Sequence, residues 1–166
     1  MQLNYNYNTT IGAAGGIVDL APHYVRSFIN EAANGAMLFG MGVTAGTLAG
    51  QGVKVPATAD TAGKFEGIVT NRRTTELNLE GGLTLRNKCA LGVMQYGVIY
   101  GLVADDITPA YGDATYLITS GDEAGYFTNA AAGQGDTFTT VAVKGRFVST
   151  VSDGVAAIEL YNQAQA

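Results

Sequence analysis

The stretch "ITPAYGDATYLITSGDEAGYFTNAA", residues 107–131, holds Asp113, Asp122 and Glu123 between short Tyr-rich runs, with Asp106 just upstream. These carboxylates are either an acidic site or the turns of a β-protein. Pro109 presets its own φ, and Gly112-Asp113 supplies residue types that tolerate the left-handed region, directly before an alternating run that puts Tyr116 and Ile118 on one face. "SGDEAGYF" repeats the device, with Gly121 and Asp122 in a turn and a new strand from Gly125 or Tyr126. A hydrolase built on paired carboxylates needs two acids roughly 5–10 Å apart, one with a raised pKa. Nothing here selects such a pair, so Pro109, Gly112, Asp113 and Tyr116 are read as a structural turn.

Similar punctuation runs along most of the chain. Glycine accounts for 23 of 166 residues, without a collagen period or a low-complexity block, and frequent turns are its simplest cause. Strand candidates are 64–70, 88–96, 98–104, 114–119, 125–129, 141–150 and 155–161, spaced as in a sandwich or barrel. In 141–150, Ala142, Lys144, Arg146 and Val148 alternate with Val143, Gly145, Phe147 and Ser149; in the last strand Ile158 and Leu160 point inward. Residues 24–45 read as two strands joined at Asn34-Gly35, a dipeptide that favours hairpins. The fold expected is all-β: a compact β-sandwich or β-barrel of short antiparallel strands with an extended N-terminal arm.

That arm is residues 1–23, followed by a single β-rich domain, 24–166. The arm carries one charged side chain, Asp19, and alternates Tyr5 and Tyr7 with Asn4, Asn6 and Asn8, the period of two of an extended strand. Such a segment suits addition to a partner's sheet edge, where main-chain hydrogen bonds supply the affinity. Tyr5, Asn6, Tyr7 and Asn8 are therefore its candidate contact residues.

Bulk properties narrow the function. The chain is 47% apolar and only 14% charged, with a net charge of −5. A surface so poor in charge favours assembly, and the acidic balance argues against nucleic acid, which requires clustered Lys and Arg. The one basic doublet, Arg72-Arg73, reads as a solvated loop. No stretch approaches the ~20 apolar residues of a membrane span, and the N-terminus lacks the pattern of a secretion signal. Cys89 is a single cysteine among apolar neighbours and reads as a small buried hydrophobe, in keeping with folding in a reducing cytoplasm.

Catalytic and metal constellations are thin. His23 and Cys89 are each alone of their kind, which leaves neither a zinc cluster nor a Cys-His device by the usual spacings, and His23 reads as exposed. Asp105, Asp106, Asp113, Asp122 and Glu123 match no calcium loop with alternating acids and a terminal Glu. "GMGVTAG" (40–46) lacks the helix and the spacing of a dinucleotide turn and reads as a Gly-rich strand end. No cofactor and no metal are expected.

Taken in order, "FGMGVTAGT", "GVKVPATADTAGKFEGIVT", "YGVIYGLVADDITPAYGDATYLI", "GYFTNAA" and "GRFVSTVSDGVAAIELYN", over about residues 36–162, resemble the cement, or decoration, proteins of tailed-bacteriophage capsids. The resemblance implies a β-rich structural protein without enzymatic activity. It also implies a place on the outer surface of the virion capsid, contact with neighbouring major capsid protein subunits, and a homotrimer. The arm lies outside the resembling stretch, so its part in capsid contact rests on composition and alternation. A reading from another class is a virion-associated or small lectin-like β-domain that binds host glycans through Tyr96, Tyr100 and Tyr111. An enzyme is the third reading, which activity silenced by Asp113→Asn would support.

Overall fold

A computed structural model describes residues 12–71, 76–77, 83–133 and 136–161. The strands among them are β1 (Tyr24–Asn30), β2 (Gly42–Ala45), β3 (Gly52–Lys54), β4 (Phe65–Val69), β5 (Glu76–Leu77), β6 (Leu83–Thr84), β7 (Ala90–Leu102), β8 (Ala114–Ile118), β9 (Phe127–Thr128), β10 (Thr140–Phe147) and β11 (Val155–Leu160). A single turn of 3-10 helix, Ala62–Lys64, precedes β4. The all-β expectation holds.

The strands are ordered β1-β3-β2-β4-β7, and β7 pairs back onto β1, which closes a five-stranded barrel. From β7 the sheet continues through β11, β10 and β8 to β9, while β5 and β6 form a separate hairpin. The β1–β3 pair is parallel and the other paired strands are antiparallel.

Strand β7 belongs to both halves. Residues 90–96 pair with β1 and residues 97–102 with β11. The sequence reads as two strands, 88–96 and 98–104, because Gly97 looks like a break. In the structure Gly97 takes φ +118, a value that L side chains rarely adopt, and the strand changes partner without ending. Its neighbour His23 leaves no space for a side chain there, since a Cβ on Gly97 would lie 2.7 Å from His23 Cβ.

Alternation along β4 and β7 feeds two cores. Val69 and Val93 point into the barrel with Phe28, Met37, Val43, Val53 and Leu91. Ile68 and Met94 point the other way and join Phe65, Ile99, Leu117, Phe127, Val143, Phe147, Ile158 and Leu160 between the barrel and the second sheet. Ile158 and Leu160 are fully buried, as their spacing predicts. On β8 the face that fills this core is Leu117's, and Tyr116 on the opposite face is half-buried.

Two expectations change. Asn34-Gly35 makes a turn with Gly35 at φ +76, but it does not join paired strands. Strand β3 lies between β1 and β2, and the turn is held by the 85–87 segment instead: Gly35 N–H donates to the Leu85 carbonyl at 3.1 Å, and Asn87 N–H to Asn34 Oδ1 at 2.8 Å. Cys89 is free and half-buried at the margin of the barrel core rather than inside it.

Candidate docking surface

The carboxylates of the opening stretch are separate structural groups. Gly112 has φ +93, its N–H donates to the Phe147 carbonyl at 2.8 Å, and the Phe147 N–H donates back to the Asp113 carbonyl at 2.9 Å. Asp113 Oδ2 accepts from the Ala110 N–H at 2.9 Å and from Asn129 Nδ2 at 3.1 Å. Those two donors, the Ala110 amide first, lower its pKa below the usual carboxylate value. Pro109 is buried beside this turn. Glu123 Oε1 accepts from the Asp105 N–H at 2.8 Å, linking two loops, and Asp122 is exposed. Among the described residues no group of three or more His, Cys, Asp or Glu is placed to hold a metal ion.

Two further carboxylates are built into the frame, and neither stands out in the sequence. Asp60 is buried and accepts from Thr44 Oγ1 and from the Ala57 N–H, both at 2.9 Å; Lys54 Nζ is 3.2 Å away and Lys64 Nζ 3.4 Å. Burial pushes its pKa up, but the Ala57 amide, the Thr44 hydroxyl and Lys54 outweigh this, and the result is lowered. Glu31 accepts from Thr47 Oγ1 at 2.6 Å, from the Thr47 N–H at 2.8 Å and from the Leu48 N–H at 2.9 Å. These bonds, the Thr47 hydroxyl first, lower its pKa and pin the β2–β3 loop, whose Leu48 side chain is exposed. Gly46 and Gly52 make room for the carboxylate, because a Cβ on either would collide with Glu31.

The surface that remains unaccounted for lies where the N-terminal segment meets β7. Gly15 N–H donates to the Tyr100 carbonyl at 2.7 Å, Tyr100 N–H to the Gly16 carbonyl at 2.9 Å, and Val18 N–H to the Val98 carbonyl at 3.1 Å. Asn71 N–H also donates to the Gly15 carbonyl at 2.7 Å, so this segment sits on the β4 side of β7. The chain then passes Gly97 at His23 and enters β1 on the opposite edge, where Tyr24 stands directly across from Tyr96. Ile17, Leu20, Tyr24 and Tyr96 are all exposed along this path, and Leu20 is 99% exposed. Isolated apolar residues on a surface are ordinary, whereas several along one short path make this the candidate docking surface.

Other sequence candidates are not united. Tyr5, Asn6, Tyr7, Asn8 and Arg72-Arg73 lie outside the described residues. Tyr100 is half-buried with Gly12 against its ring, so it does not share an open stacking face with Tyr96 and Tyr111. Tyr111 instead lies under the Arg146 guanidinium, 5.3 Å from ring centroid to Cζ, and Arg146 Nε bonds Glu159 Oε2 at 2.6 Å. His23 is exposed, with Nδ1 3.0 Å from the Ala21 carbonyl oxygen.

Comparison with known proteins fits this architecture. A solved structure titled "The capsid of Myoviridae Phage XM1" contains a chain that superposes with a TM-score of 0.72, covering 96% of this chain and 96% of that one at 20% identity; the two share a fold. No curated protein sequence matches the chain. The model of the family described as "Structural cement protein (E217 gp24/Pam3 gp6)" matches residues 1–161. On that match, which takes in both the N-terminal segment and the barrel, the chain belongs to the phage structural cement protein family.

Proposed function

We propose that the protein binds the outer surface of a phage capsid as a homotrimer and cements neighbouring major capsid protein subunits, with no catalytic activity, nucleic acid or membrane in its role. A structural role at the virion capsid follows from the family. The observation that carries the finer reading is the extent of the family match, which begins at residue 1 and so includes the arm as well as the β-domain. Tyr5, Asn6, Tyr7 and Asn8 are the proposed contacts of that arm. The exposed path from Ile17 to Tyr24 supports the reading, because it places uncovered apolar surface next to the arm's root.

Cementing of this kind works by mass action. A protein that binds the assembled shell and not the free subunits stabilises the shell by RT ln(1 + [L]/Kd), about 2.7 kcal/mol per site at a hundredfold excess over Kd. Repetition over the shell multiplies a small term. Three linked copies add avidity, since attachment of one raises the effective concentration of the others to roughly millimolar.

The test is to mix the purified protein with undecorated capsids, sediment them and image the pellet. Ordered density on the outside of the shell between capsid subunits is the expected result. Absence of the protein from the pellet at micromolar concentration contradicts it.

A further inference from the structure

The edge of β1 that faces away from β7 has no strand partner from Tyr24 to Phe28 among the described residues. Pairing with β3 is confined to Ile29 and Asn30. The direction of the backbone groups follows from the bonds on either side. Asn30 N–H donates to the Cys89 carbonyl beside β7, whereas Ile29 and Glu31 donate to Gln51 and Val53 on the β3 side. In an extended strand successive residues point to opposite edges, so Ser27 presents its N–H and C=O on the same open edge as Ile29. Ser27 is exposed, and the strand ends at the exposed Tyr24, across from exposed Tyr96.

We infer that this open edge receives the N-terminal arm of a second copy of the chain. The inference rests on the reading of the protein as a self-associating capsid protein and deepens it. Residues 12–18 run antiparallel to β7 and reach the Tyr100 end first, on the β4 side. Eleven residues precede Gly12, which lies at that end, and a fully extended segment of that length spans roughly 36–40 Å. The open edge of β1 lies across β7 from Gly12 and toward its Tyr96 end, so the acceptor inferred for the arm is a neighbour's β1 rather than its own. An added strand gains main-chain bonds at Ser27, and its Tyr5 and Tyr7 extend the exposed Tyr24–Tyr96 row across one more strand. The alternation leaves Asn6 and Asn8 on the other face for the shell. An arm passed from one copy to the next is a heterologous contact, which closes into a ring when the rotation permits.

The test reads oligomeric state without capsids, so it is separable from capsid binding. Light scattering after size exclusion is applied to the full chain, to a chain lacking residues 1–11, and to Ser27→Pro. Proline removes the N–H at the open edge and leaves the ladder with β7 intact. The full chain is expected to self-associate and each variant to be monomeric. A mixture of the two variants should recover a heterodimer, because the Ser27→Pro copy has an intact arm and the truncated copy an intact edge. As a second readout, exchange of the Ser27 amide should be at least tenfold slower in the full chain than in the truncated one, which settles the matter if Ser27→Pro does not fold. A monomeric full chain, a truncated chain that keeps the full chain's oligomeric state, or equal Ser27 exchange in both overturns the inference. If the truncated chain keeps that state and loses only capsid binding, the arm belongs to the shell and the cementing function stands.

Discussion

Phe65 of β4 and Phe127 of β9 meet edge to face, with ring centroids 6.3 Å apart and planes at 88°. One ring belongs to a barrel strand and the other to the last strand of the second sheet, so the contact joins the barrel to that sheet's far edge. Glycines make the space for it. A Cβ on Gly42 would lie 2.7 Å from Phe127 Cζ and would also collide with Leu117, and a Cβ on Gly101 would lie 2.6 Å from Ile158 Cδ1. Truncating Phe127 to Ala is expected to cost about 3–5 kcal/mol through lost burial and the cavity left behind. Gly42→Ala, which overfills the same spot, is expected to cost about 1–3 kcal/mol. Urea denaturation measures both, and a change below 1 kcal/mol for Phe127→Ala contradicts the packing described.

Asp60 is the most demanding polar group in the barrel wall. Replacing it with Ala leaves the Thr44 hydroxyl and the Ala57 N–H without their acceptor, for an expected loss of about 1–3 kcal/mol. Lys54 and Lys64 are 35% and 53% exposed, so solvent screens their share and the hydrogen bonds dominate. A thermal melt shifted by less than 2 °C speaks against this role.

The acid limb of stability follows from the same groups. Asp60, Glu31 and Asp113 all have lowered pKa values in the folded chain. Their contribution is complete above the unfolded-state values and is lost as pH falls through the lowered folded ones, because in that window the unfolded chain holds more protons. The urea midpoint should therefore decline below about pH 4, where unfolded carboxylates begin to protonate. Asp60→Asn should make that decline shallower. An unchanged slope contradicts the assignment.

Thr115 is buried, and its Oγ1 has no hydrogen-bond partner among the described residues. Valine keeps the shape and removes the unsatisfied hydroxyl, so Thr115→Val is expected to stabilise the fold by about 1 kcal/mol. Loss of stability in the same denaturation assay refutes this.

Glu31 holds the β2–β3 loop through Thr47 and Leu48. Glutamine keeps one accepting oxygen where the carboxylate has two, so Glu31→Gln should speed amide exchange at Thr47 and Leu48 several-fold while Val43 and Val53 in the barrel stay protected. Uniform exchange across loop and barrel contradicts a local clamp.

Strand positions were legible because alternation and glycine punctuation are local signals. "KFEGIV" and "PAYGDATYLI" mark β4 and the turn into β8 almost to the residue. Barrel closure was not legible, since it depends on Tyr24 meeting Tyr96 across a long sequence separation that no local pattern encodes. Gly97 misled because a glycine at which a continuous strand changes partner looks in sequence like one that ends it. Asn34-Gly35 misled for a related reason: the turn formed, but the backbone of the 85–87 segment decided what it joined. In sequence Leu20 falls in the arm, Tyr24 opens a strand candidate and Tyr96 reads as one of three stacking tyrosines, and only the path of the chain sets them along one surface.

The most direct measurement of cementing is the thermal or osmotic release of the genome from shells with and without the protein, paired with the location of the protein by cryo-EM of the same shells. Cementing predicts density bridging adjacent capsid subunits on the outside and a release threshold that rises with occupancy. Shells that bind the protein at full occupancy yet burst at the same temperature as bare ones contradict it.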